Sequence, residues 1–252
     1  MIALVEPADR QLTSPLGRAS PLLKLGIAIG WLLGLALTID PVPPAFVVAV
    51  TLAAGLALGR IPPGRLAAGL APLWAAALGI GLFNALFSAS NADPTLAVVA
   101  QVGPFRVTAA AVAAGVGLAV RVIAIASVGV VFGLTTDSTR LVDSLVQQGR
   151  APERFGYGAL AAFQAIPRLA EDLASLRQAR RIRGLRGGWH PRLLVGLLVL
   201  AIRHGDRLAL AMDARAFGSG PRTRFRTVGW SCWDGALALG AAAVLVLALA
   251  LG

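Results

Sequence analysis

The residues of this chain best suited to chemistry are arginines, and they fall in two echoing segments. The first runs from Arg177 to Arg186 as Arg-Gln-Ala-Arg-Arg-Ile-Arg-Gly-Leu-Arg. The second, about thirty residues on, is Ala211-Met212-Asp213-Ala214-Arg215-Ala216-Phe217-Gly218. Each closes a helix-like run with an arginine followed by a small residue. Gly184 is a natural stop for the first, because glycine takes the left-handed conformation a C-cap needs; Gly218, two positions past Ala216, serves the second. Arg183 and Arg215 therefore lie at helix ends, where a cation suits the negative end of the dipole. A guanidinium there reaches outward with five donors in a rigid fork, a shape matched to carboxylates. The chemistry this suits is a charged contact with a carboxylate beyond the helix end, with Gly184, Ala214 and Ala216 shaping the ends and Ala179, Arg180 and Asp213 beside them. For several of Arg180, Arg181, Arg186 and Arg192 the plainer reading is positive charge against anionic lipid, about 1 kcal/mol per residue near the surface.

Catalytic patterns are missing from the sequence. His190 and His204 stand fourteen apart, with no cysteine or carboxylate at ligand spacing, so no metal site is expected. There is no Walker A sequence, no Gly-x-Ser-x-Gly and no His-Glu-x-x-His. Cys232 is the single cysteine, which rules out an internal disulfide and leaves the redox compartment open. No catalytic residue and no cofactor are expected in this chain.

What must position the arginines is a membrane protein. The composition is 57% apolar and 14% charged, against roughly 45–50% apolar for a soluble domain. Apolar runs over residues 22–38, 45–58, 70–87, 107–134 and 230–251 predict about five transmembrane helices. The first two are short for a hydrocarbon core of about 30 Å. Prolines and glycines mark the turns between the first three, and a loop is expected over residues 88–106. The N-terminal stretch carries Glu6 and Asp9 and lacks a basic region before a cleavage site, so the first helix is expected to stay as an anchor. The fold class is an all-α integral membrane protein with a module of amphipathic cytoplasmic helices. It divides into an N-terminal segment and four-helix bundle (1–134), the module (135–226) and a last spanning helix (227–252).

Charge placement orients it. Sixteen of the 23 Lys and Arg lie between residues 135 and 226, beside seven acids. Arg10, Arg18 and Lys24 flank the first span; Arg60 and Arg65 follow the second. The positive-inside rule then puts the N-terminus, the 60–66 loop and the module in the cytoplasm. Within the module, Leu160, Phe163, Ile166, Leu169, Leu173 and Leu176 form a stripe at helical spacing, with Gln164, Arg168, Glu171 and Asp172 opposite and Pro167 expected to kink the helix. After Pro191 a second stripe runs through Leu194, Leu198, Ala201, Gly205, Leu208 and Met212. Its first half, 193–202, is apolar all round and predicts a dip into the membrane or burial by the first helix. A shorter helix is predicted over 136–148, with Asp137 or Ser138 as N-cap. Arg121 is set apart: an arginine mid-span costs a few kcal/mol on insertion scales and needs a partner or a wet cavity. It either snorkels or pairs structurally, or it helps link the bundle to a partner or to the cytoplasmic arm.

The order of these parts resembles a known family. A Ser-Pro…Pro-Leu-Leu-Lys start (Ser14, Pro15, Pro21, Lys24) precedes membrane spans, and a Thr135-Thr136 pair opens a helix. Pro167-Arg168 and the two arginine segments follow. This is similar to the transmembrane T component of energy-coupling factor transporters, a branch of the ABC transporters that imports vitamins and metal ions, and the likeness covers nearly the whole chain. It implies that each segment ends a coupling helix whose arginine docks on one of two cytoplasmic ATPases, with Arg183 and Arg215 in those places. ATP would then be bound by the partner subunits. A membrane-embedded substrate-binding S component is the further partner implied, in a bacterial or archaeal plasma membrane, with no nucleic acid involved. The chain departs from the family pattern at Ile182, where a small residue is usual, and at Ala216, where glycine is usual. The competing readings are a lipid or isoprenoid enzyme using the basic module to hold phosphates, and a polybasic lipid- or nucleic-acid-binding anchor.

Overall fold

The structure, a computed structural model, describes residues 9–38, 40–93, 95–102, 105–185, 190–218, 220 and 226–251. Arg186 lies outside the described residues. Two Ser-Pro pairs start the chain's early helices. Ser14 accepts from the Gly17 N–H at 2.9 Å and caps α2 (Pro15–Arg18), which follows the short α1 (Asp9–Leu12). Ser20 precedes α3 (Pro21–Ala36). Proline suits a first helical position because its missing N–H is one that has no intrahelical partner. Then come α4 (Val42–Ala57), α5 (Pro63–Phe87), α6 (Ala109–Thr135), α7 (Ser138–Gln147), α8 (Glu153–Ile182), α9 (Pro191–Ala214) and α10 (Cys232–Ala250).

This is an all-α membrane protein. Among the described residues three helices, α5, α6 and α10, are long and apolar enough to cross a bilayer, and α3 and α4 are shorter apolar helices. The predicted loop at 88–106 is not all loop. It contains a 3-10 turn at Ala89–Ala92 and an antiparallel hairpin, β1 (Val98–Val102) and β2 (Phe105–Thr108), with Gln101 opposite Arg106 and Val98 opposite Thr108. Consecutive β-branched valines supply the strand preference. Residues 107 and 108, expected in the fourth span, belong to β2; Thr108 caps α6 by accepting from the Ala111 N–H.

The described residues form two compact units, one within Met1–Leu141 and Gly229–Gly252, the other within Val142–Val228. In the first, α6 is the central helix, packed by α3, α4 and α5, while α10 lies against α3 and α4. Trp31, Leu35, Val47, Ala124 and Ala248 make one core cluster; Ile61, Leu66, Leu70, Val131 and Leu134 make another. The crossing of α5 and α6 is close because glycines meet there. A Cβ on Gly81 would stand 2.8 Å from the Gly115 carbonyl oxygen, and one on Gly115 would stand 2.5 Å from that of Gly81. Small residues at such crossings let backbones approach, which is what holds apolar helices together in lipid.

One end of the bundle is polar inside. Gln11, Ser14, Ser20, Lys24 and Asp234 are all buried. Asp234 accepts from the Ser20 N–H at 2.7 Å and from the Ser231 N–H at 2.8 Å, closing a capping box at the start of α10. Arg140 on α7 donates to the Gly17 carbonyl at 2.8 Å, and Arg65 donates to Gln11 Oε1 at 3.2 Å. The N-terminal segment is therefore bound into the bundle by backbone and buried polar groups.

The second unit holds α8 and α9. Pro167 sits inside a helix that continues through it for 30 residues. The expected stripe is only partly inward: Phe163 and Ile166 are exposed, while Arg168 and Asp172, expected opposite, line a groove against α9. The faces that meet are rich in small residues, and Ala201, Gly205, Leu208 and Met212 of the second expected stripe line the groove between them. Nor is the first half of α9 buried by α8, since Leu194, Val195, Leu198, Val199 and Ile202 are exposed and only Leu193 is buried.

Candidate functional site

Both arginine segments end in the same backbone structure. Arg183 is the C-cap of α8 with φ −77° and ψ 10°; Arg215 is the C-cap of α9 with φ −94° and ψ 13°. After Arg183, the Gly184 N–H donates to the Arg181 carbonyl at 3.0 Å, and the Leu185 N–H to that of Arg180 at 3.1 Å. After Arg215, the Ala216 N–H donates to the Asp213 carbonyl at 2.9 Å, and the Phe217 N–H to that of Met212 at 3.0 Å. This pair of bonds is the Schellman closure, and it requires a left-handed residue just past the cap. Gly184 fills that place with φ 72°, and Ala216 fills it with φ 55°. The expected stop at Gly218 is thus corrected: Ala216 closes the helix, and Gly218, φ 78°, makes a second left-handed turn beyond it.

The side chains around the two caps are on the surface. Ala179, Arg183, Gly184, Asp213, Ala214, Arg215 and Ala216 are exposed, and Arg180 is half-buried. Last-turn carbonyls left over at each end favour a cation beside them. The ends offer charge, donors and shape at the surface. Among the described residues no cluster of His, Cys, Asp and Glu could hold a metal ion.

The ends point to opposite extremes of the helix pair. Early α9 lies by late α8, since Gly196 faces Leu176; late α9 lies by early α8, since Arg154 donates to the Gly218 carbonyl at 3.3 Å. The pair is antiparallel. From Arg154 to Arg183 is 29 residues of helix, about 43 Å at 1.5 Å per residue. Between the helices runs a groove of about 370 Å³, floored by small residues such as Gly158, Ala161, Ala165, Ala201 and Gly205 and edged by Arg168, Asp172 and His204.

Arg121 does pair structurally. Its guanidinium donates to the Thr38 carbonyl, just past the C-terminus of α3. At 16 residues α3 is about 24 Å long, short of a bilayer, so its last carbonyls need a donor from within the bundle. The sequence marks Lys24 as a motif residue and as a charge flanking the first span. In the structure its ammonium donates to the Thr135 carbonyl at 2.8 Å.

With these features in place, the comparison with known proteins is decisive. Residues 13–226 match the CbiQ family, described as cobalt transport protein. The chain belongs to this family, which includes the transmembrane components of energy-coupling factor transporters. An energy-coupling factor transporter transmembrane protein EcfT of Heliobacterium modesticaldum is 28% identical over 205 residues, 75% of each chain. One of the same name from Lactococcus lactis subsp. cremoris is 25% identical over 238 residues, 87% of each chain. A putative ABC transporter ATP-binding protein of Bifidobacterium longum is 28% identical over 225 residues, 82% of this chain but 28% of that longer protein. The matched residues take in the apolar helices α3 to α6 and both arginine ends.

Proposed function

We propose that this protein is the transmembrane coupling subunit of an energy-coupling factor importer. Arg183 and Arg215 each dock on one of two cytoplasmic ATPases, which bind and hydrolyse the ATP. The chain passes their motion to a membrane-embedded S component that takes up a micronutrient, a vitamin or a metal ion. The observation that carries this reading is the pair of C-cap arginines in matching closures at opposite extremes of one helix pair. An interval of about 43 Å suits two separate sockets and is too wide for one. The relative from Bifidobacterium longum supports an ATPase partner, since a sequence similar to this one there forms part of a protein named for ATP binding.

Charge supports a plasma-membrane protein with the module on the cytoplasmic side. The S component would be received by the small-residue groove and the exposed apolar side chains of α8 and α9. Exposed apolar side chains gathered beside a groove mark a surface suited to a partner. No catalytic group is needed in this chain for such a role. The test is the doubly substituted chain Arg183→Glu, Arg215→Glu. It is expected to insert and elute as a folded membrane protein, but to lose the ATPase pair and transport. Copurification with the ATPases together with retained uptake would overturn the reading.

A further inference from the structure

We propose that Arg154 and Tyr157, in the first two turns of α8, are positioning residues for the second docking end. One helix would then carry Arg183 at its C-terminus and clamp the root of Arg215 at its N-terminus. This deepens the docking reading above and rests on it.

Three residues follow Arg215 in the described chain without interruption, and α8 holds two of them. Gly218 offers its carbonyl to Arg154 Nη2 at 3.3 Å. Its left-handed backbone turns a bare Cα toward the same side chain, and a Cβ there would overlap the Arg154 guanidinium and stem. Phe217 meets the Tyr157 ring edge-on, with centroids 6.5 Å apart and planes at 76°, a geometry favoured by aromatic quadrupoles. Phe217 is also the residue whose N–H completes the α9 closure on Met212. Tyr157 is itself fixed, because its hydroxyl donates to Asp143 Oδ1 on α7 at 2.9 Å and that carboxylate is buried. The sequence Asp143–Tyr157–Phe217 thus leads from α7 through α8 to the helix end that presents Arg215. At the first end the equivalent of Phe217 is Leu185, which is 50% exposed.

The physical consequence is a shared rod. A force on Arg215 passes through the Phe217–Gly218 turn into the N-terminal turns of α8. A force on Arg183 enters the same helix at its other terminus. The two ATPases then act on one element, and a change in their spacing is opposed or transmitted by α8 as a whole.

The experiment is a pair of double-substitution cycles on the full chain, expressed with its ATPases and purified by a tag on this chain. In an Arg183→Glu background, retention depends on the second end. Adding Arg154→Ala or Tyr157→Ala there is expected to weaken ATPase retention at least tenfold. Arg154→Lys and Tyr157→Phe, which keep a cation and the ring, are expected to weaken it less. In an Arg215→Glu background, where retention depends on the first end, the same four changes are expected to alter it less than twofold. Equal weakening in both backgrounds, the mark of general damage to the module, overturns the proposal, and so does no weakening in either. An unsubstituted chain that retains no ATPase is a different result: it removes the docking reading and this proposal together.

Discussion

Lys24 and Thr135 lie 111 residues apart in the chain and are joined by one bond, from the Lys24 ammonium to the Thr135 carbonyl at 2.8 Å. That bond has a counterpart. Fourteen residues on from Lys24, two past the end of α3, is Thr38, and fourteen residues back along α6 from Thr135 is Arg121; these two are also bonded, guanidinium to carbonyl. The helices are antiparallel, so each contributes a cation to the last carbonyls of the other. Fourteen residues of helix is about 21 Å, and the two bonds therefore hold α3 on α6 at both ends of a common length. A slip of one helix past the other would break both at once.

From this clamp comes a prediction of coupling between distant sites. Lys24→Met and Arg121→Met each remove a donor from a backbone carbonyl, a loss of about 0.5–3 kcal/mol per bond. Sites more than about 10 Å apart normally add. Here either bond alone keeps the register, and losing both frees it. The double variant is expected to fall below the sum of the single losses by at least about 0.5 kcal/mol. Denaturant titration of the detergent-solubilised chain measures this. Strict additivity would mean that other packing, such as the Trp31 and Leu35 cluster, sets the register by itself.

Much of the architecture could be read from local pattern, because local pattern causes it. The apolar runs became helices, Arg183 became a C-cap, and Asp137 caps α7 by accepting from the Thr139 and Arg140 N–H groups at 3.4 and 3.3 Å. What escaped the sequence depends on size or on distance. Hydropathy pointed to Phe163 and Ile166 as the inner face of α8, yet Gly158, Ala161 and Ala165 turn toward α9. Close approach is governed by side-chain bulk, and the large apolar groups Phe163 and Ile166 stay exposed. The roles of Arg154 and Tyr157, and the partners of Lys24 and Arg121, escaped because each acts on a carbonyl or ring far along the sequence, and spacing carries no trace of that. The stop at Ala216 was missed because a glycine two residues later looked better suited to it.

Ala216 supplies the next prediction. An L-residue with a Cβ in the left-handed region costs roughly 1–2 kcal/mol, and glycine avoids it. Ala216→Gly is therefore expected to stabilise the end of α9 by up to about 1 kcal/mol, the gain being reduced by the freedom glycine adds to the unfolded chain. Gly184→Ala at the matching place on α8 is expected to destabilise that end by about 1 kcal/mol. Hydrogen exchange at the Phe217 and Leu185 amides reads the two closures separately. Slower exchange at Phe217 and faster exchange at Leu185 is the expected pair. An unchanged Phe217 amide in Ala216→Gly would mean that α8 holds the turn closed whatever residue occupies the left-handed place.

A last prediction separates docking from mere attraction to lipid. Lysine keeps the charge of arginine but not the planar fork, and it bonds a carboxylate as a point rather than through two parallel donors. Adsorption to an anionic surface depends on charge, near 1 kcal/mol for either residue, and screens with salt. If Arg183 and Arg215 enter carboxylate-lined sockets, Arg183→Lys with Arg215→Lys should weaken ATPase retention by at least tenfold, because geometry is lost at both ends. Binding of the same variant to vesicles containing anionic lipid should stay within about twofold of the unsubstituted chain. Paired measurements at low and high salt check this. Equal retention by the lysine variant at low salt, fading in parallel with vesicle binding as salt rises, would show that charge alone does the work and that the two matched closures serve only to end their helices.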